Sequence, residues 1–109
     1  MNLSIDVRES GQEVYVKLSG EIDAYTAPQV REELMNAVES PGIRMVVDLS
    51  EVTYMDSTGL GVFVGLFKSL KANEGQLDFT GMTDRLKRLF EITGLADVMD
   101  INTEVEGGV

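Results

Sequence analysis

Met45-Val46-Val47-Asp48-Leu49, followed by Asp56-Ser57-Thr58-Gly59-Leu60-Gly61 and an apolar run to Leu70, reads as a strand handing over to a helix through a polar, glycine-rich hinge. The upstream run is nearly continuous in apolar residues, the mark of a central strand covered on both faces or nearly so. Downstream, Leu60, Phe63, Val64, Phe67 and Leu70 fall on one helical face. Val62 projects to nearly the opposite side, with Gly61, Gly65 and Ser69 around it, so the outer face of this helix is short of charge and free of any second layer. Ser57 therefore stands exposed at a helix N-terminus, where unpaired backbone N–H groups favour an anion.

Around this hinge the periodicities spell out a mixed sheet. Leu3, Ile5 and Val7 alternate with polar residues, as do Val14, Val16 and Leu18, and Gly11-Gln12 between them makes a hairpin turn. Ser19-Gly20 ends the second strand. Thr26 as cap and Pro28 in the first turn open a helix through Ala27, Val30, Leu34 and Val38, which Ser40-Pro41-Gly42 stops. Ile43 to Leu49 is the third strand, and Leu77 with Phe79 the fourth. Thr83 caps a further helix carrying Leu86, Leu89 and Phe90, with Gly94 as its stop. Val98, Met99 and Ile101 offer a last short strand before a frayed tail at 104–109. Repeated strand–helix–strand units favour parallel pairing, and the opening hairpin adds antiparallel character. The expected fold is a single α/β domain with a mixed sheet and helices mainly on one face.

Composition narrows the chemistry. The 109 residues include no cysteine and no histidine, which removes thiolate metal sites and the commonest general base. A net charge of -10 disfavours nucleic acid and anionic membranes. No signal pattern opens the chain and no apolar run reaches spanning length, so a cytoplasmic protein is expected.

Ser57 as a nucleophile lacks a base, since Lys68 lies three helical turns away. A phosphate-binding loop lacks its Lys-Ser/Thr pair, leaving only weak nucleotide contact. Asp23, Asp48 and Asp56 converging on a hard cation is a third possibility; its plainer rival has Asp56 capping the helix and Asp48 facing solvent. Ser57 as a simple N-cap is also open, although Asp56, Ser57 and Thr58 are more capping residues than one helix needs. Arg85, Lys87 and Arg88 form either a solvated face or a partner contact.

The segment Val52 to Gly61, with Gly20-Glu21-Ile22-Asp23 before it and Arg88-Leu89-Phe90-Glu91-Ile92-Thr93-Gly94-Leu95 after it, resembles the STAS-domain anti-sigma factor antagonists, and the likeness runs essentially end to end. It is strongest toward the general stress response branch, with the sporulation antagonists as near relatives. The resemblance implies a STAS fold, a mixed, mostly parallel sheet of four to five strands with about three helices. It implies a protein substrate and not an enzyme. Ser57 would be phosphorylated by a serine kinase that is also the anti-sigma factor, and a PP2C-type phosphatase would reverse this. The unphosphorylated form would bind the kinase and free the sigma factor. Partner-binding residues would be Asp23, Asp56, Ser57, Thr58, Gly59, Gly61 and Val62. ATP belongs to the kinase, so no cofactor is expected. A scaffold role among other STAS domains is the alternative reading.

Overall fold

In the computed structural model, which describes residues 2–94, the order is β1 (Leu3–Ser10), β2 (Glu13–Ile22), α1 (Ala27–Asn36), β3 (Arg44–Met55), α2 (Ser57–Ala72), β4 (Gln76–Thr80) and α3 (Asp84–Ile92). The strands form one sheet in the order β1-β2-β3-β4. β1 and β2 pair antiparallel across the turn at Gly11, whose φ is 63°. β2 with β3 and β3 with β4 are parallel, so α1 and α2 serve as crossovers. This is the mixed, mostly parallel sheet that the periodicities predict. The expected last strand at Val98, Met99 and Ile101 and the tail at 104–109 lie outside the described residues.

Alternation along the strands explains which side is covered. Val14, Val16 and Leu18 of β2, Met45, Val47 and Leu49 of β3, and Leu77 and Phe79 of β4 are buried on one face. They join Val30 and Leu34 of α1, Leu60, Phe63, Leu66 and Leu70 of α2, and Leu86 and Phe90 of α3 in a single core. Phe79 links two helices through its edges. Its ring centroid lies 5.2 Å from Phe63 at 90° and 5.5 Å from Phe90 at 60°, contacts worth about 0.5–1.5 kcal/mol each beyond their buried area.

The opposite face carries Tyr15, Lys17, Val46, Asp48 and Asp78, all exposed or half-buried. The expectation that β3 is covered on both sides is therefore corrected: the strand is central but sandwiched on one face only. An unbroken Met45-Val46-Val47 run reads the same either way, and only Asp48 betrays the open side. β2 and β3 also run further than their apolar runs. β2 passes through Gly20, where the register slips and φ reaches 111°. A β-carbon there would strike the Asn2 carbonyl, to which Glu21 N–H donates at 2.7 Å, so a glycine is needed for the strands to meet. β3 continues through Ser50 to Met55, delivering the hinge to the rim of the sheet.

Candidate functional site

The two central strands bring the candidate residues together. β2 and β3 run parallel, and their last residues, Ile22 and Met55, are register partners. Asp23 and Asp56 thus leave the same rim of the sheet side by side, and Asp56 N–H donates to the Ile22 carbonyl at 3.4 Å.

Asp56 is the N-cap of α2. Its extended backbone turns the carboxylate back onto the helix end, where Oδ1 accepts from Thr58 N at 3.0 Å and Gly59 N at 3.3 Å. Two of the four N–H groups that a helix start leaves unpaired are thereby satisfied. This decides between the readings of the hinge. The cap is Asp56, not Ser57, and the helix start is not an empty anion cradle. Ser57 occupies the first helical position, exposed, and its hydroxyl makes no hydrogen bond among the described residues. Thr58 beside it is exposed as well.

The loop after β2 is locked by a different arrangement from the expected one. Thr26 makes no side-chain cap to α1. Its Oγ1 instead donates to the Glu21 carbonyl at 2.8 Å and accepts from Asp23 N at 2.9 Å. Asp23 Oδ1 accepts from Tyr25 N at 3.0 Å and Thr26 N at 3.1 Å, and Ala27 N donates to the Asp23 carbonyl at 2.8 Å. Asp23 therefore closes an Asx turn one step ahead of α1, and its half-buried carboxylate faces its own loop. Sequence reasoning expected Thr26 to do the capping because both residue types are good caps. It passed over Tyr25, which this turn holds out at 86% exposure.

The glycine face of α2 needs a larger correction. Val62 is buried at 8% exposure, in the core and not on an outer surface. The missing second layer is α1: a β-carbon on Gly65 would lie 3.7 Å from Met35 Cε. Leu66 belongs to the core, whereas Val64 and Phe67 are only half-buried, so the buried stripe is rotated from the one read in the periodicity. Gly59 is buried too, with space for no more than a hydrogen, because a β-carbon would meet Ile22 Cγ2 and Met55 Cγ at 2.8 Å. Gly61 alone of these glycines faces open space, with nothing within 4 Å of a β-carbon. The surface that the hinge presents to solvent is thus Ser57, Thr58 and Gly61, flanked by Ala24 and Tyr25.

Asp48 does not join Asp23 and Asp56. It lies mid-sheet on the open face, paired with Lys17 and Thr80, and no group of three potential ligands that could hold a metal occurs among the described residues. Its carboxylate accepts from Tyr15 Oη at 2.7 Å and Ser50 N at 2.9 Å. Partial burial works to raise its pKa, but these hydrogen bonds prevail and hold it below the ordinary carboxylate value. Tyr15 is shifted up by the same bond. On the other side of the rim, Arg85 and Arg88 of α3 border a largely apolar groove of about 310 Å³ with Tyr54, Met55 and Leu89. No helix among the described residues is long and apolar enough to cross a membrane.

Comparison with known proteins agrees with this architecture. The chain is 48% identical over 109 residues to the anti-sigma-B factor antagonist of Bacillus subtilis, covering 100% of this chain and 99% of the relative. It is 53% identical over 108 residues to the anti-sigma-B factor antagonist of Listeria monocytogenes, covering 98% and 94%. The crystal structure of an anti-sigma factor antagonist from Mycobacterium paratuberculosis superposes with a TM-score of 0.80 at 26% identity, over 93% of this chain and 86% of that one. The STAS domain model matches residues 4–107. With its hinge serine at the paired ends of β2 and β3, the chain belongs to the STAS domain family.

Proposed function

We propose that this protein is an anti-sigma factor antagonist whose binding to a serine kinase, itself the anti-sigma factor, is switched off by phosphorylation of Ser57. The observation that carries the reading is the state of Ser57: exposed and unbonded at the first position of a helix already capped by its neighbour. The relatives at 48% and 53% identity are named for antagonism of an anti-sigma factor, which supports an anti-sigma factor as the partner; that this partner is a serine kinase follows from the family resemblance of the hinge. A PP2C-type phosphatase resets the switch, and the exchange takes place in the cytoplasm. On this reading the chain acts as substrate and ligand, as the regulatory names of its relatives support.

Within this reading the candidate residues divide by what they do. Ser57, Thr58 and Gly61 meet the kinase directly. Asp56 caps the helix end, Gly59 lets it sit close against Ile22 and Met55, Val62 is buried in the core, and Asp23 sets the adjoining turn. A phosphate at Ser57 adds about -1.5 to -2 charges at neutral pH. The helix dipole tolerates that charge, so the fold survives it. The complex does not, because the dianion would have to be desolvated beside the Asp56 carboxylate. Losing only ~3 kcal/mol of binding weakens affinity more than a hundredfold.

The test is phosphorylation by the cognate kinase with ATP, read by intact-mass spectrometry. The parent gains one phosphate and Ser57→Ala gains none. Equal labelling of Ser57→Ala would remove Ser57 as the acceptor. Ser57→Asp is expected to bind the kinase at least ~100-fold more weakly than the parent.

A further inference from the structure

Four large hydrophobic side chains stand exposed among the described residues: Tyr15, Tyr25, Tyr54 and Ile92. Tyr15 is engaged through its hydroxyl by Asp48. Tyr54 and Ile92 line the groove beside α3. Tyr25 has no such employment. At 86% exposure it is the most open of the four, and its side chain makes no hydrogen bond among the described residues.

Its backbone, by contrast, is firmly held. Tyr25 N–H donates to Asp23 Oδ1, and the flanking Thr26 is buried at 4% exposure with its hydroxyl bridging Glu21 and Asp23. An aromatic ring on a rigid turn loses little conformational freedom when it is covered. The location is equally specific. The turn leaves β2 where Ser57 leaves β3, and neighbouring strands lie about 4.8 Å apart. An interface of ordinary size covers about 800 Å² on each partner, so one centred on Ser57 takes in Tyr25.

We infer that Tyr25 is a second anchor of the interface centred on Ser57, its ring entering an apolar pocket of the kinase rimmed by basic groups. The apolar pocket matches the ring. The basic rim matches Asp23, whose carboxylate accepts from the Tyr25 N–H, and the chain's net charge of -10. The inference rests on the function proposed above, and it gives the kinase a contact that phosphorylation does not touch.

Calorimetric titration of the purified cognate kinase with the parent, Tyr25→Ala, Tyr25→Phe and Ser57→Asp tests it, alongside steady-state phosphorylation and thermal melts. Tyr25→Ala is expected to weaken binding about 30-fold, the factor typical of a buried aromatic anchor. It should raise KM for phosphorylation with kcat within about twofold, and melt with the parent. Tyr25→Phe keeps the ring and should bind within about threefold of the parent. If Tyr25→Ala binds as tightly as the parent while Ser57→Asp does not bind, the anchor is overturned and the Ser57 switch stands. If Ser57→Asp binds like the parent, or the parent does not bind, the proposed function falls and the anchor with it.

Discussion

Gly59 and Gly61 sit two positions apart in the same helical turn and have opposite physical reasons to be glycine. Gly59 is wedged against Ile22 and Met55, where a β-carbon would approach two side chains at 2.8 Å. Gly59→Ala must push α2 off the sheet or force those side chains from their rotamers, and is expected to destabilise the fold by about 1–3 kcal/mol. Gly61 has open space around its Cα, so Gly61→Ala gains helix propensity and should stabilise by roughly 0.5–1 kcal/mol. Urea denaturation of the two variants checks both signs. If Gly61 faces the kinase, its variant combines a higher melting temperature with weaker binding. A stability change alone would show that the surface lies elsewhere.

Among the elements, the junctions matter more than the elements themselves. The helices and strands were largely legible from period, because Val14-Val16-Leu18 and Leu60-Phe63-Leu70 can be little else. What period does not encode is what lies across from a residue. Val62 looked outward because the helix wheel places it opposite Leu60 and Phe63, yet it is buried in the core, on a helix whose neighbouring Gly65 lies under Met35 of α1. Met45-Val46-Val47 looked buried on both faces because an apolar residue can sit half-covered at modest cost. The hinge motif placed Ser57 at the junction between strand and helix, and it stands there, exposed, at the first position of α2. The division of labour between Asp56 and Ser57, and between Asp23 and Thr26, depended on rotamers that sequence does not carry. One consequence belongs to the β2–α1 junction. Thr26→Val keeps the shape but leaves the Glu21 carbonyl and Asp23 N–H without their partner. It should cost about 1–3 kcal/mol, measurable by thermal or urea unfolding. It should also loosen the turn that presents Tyr25.

For the whole molecule, the one-sided sheet leaves a polar face whose electrostatics tune stability with pH. Asp48 titrates lower in the folded chain than its ordinary value, so its contribution is complete above pH ~4 and is lost as pH falls through the folded value. Tyr15 shifts the other way: its share is complete below pH ~10 and is lost as pH rises through the raised value. Tyr15→Phe removes the shared bond. Carboxyl NMR should then show Asp48 titrating closer to an ordinary aspartate, and unfolding curves should show a gentler loss of stability toward acid. The rim of the sheet carries a different consequence. Because the Asp56 carboxylate already holds the Thr58 and Gly59 amides, a phosphate written onto Ser57 finds no nest to sink into. On the proposed reading the mark stays proud of the surface, legible to whatever inspects the protein and just as easily erased. On that reading, the capping bond that keeps the helix in order also leaves the phosphate within reach of a phosphatase.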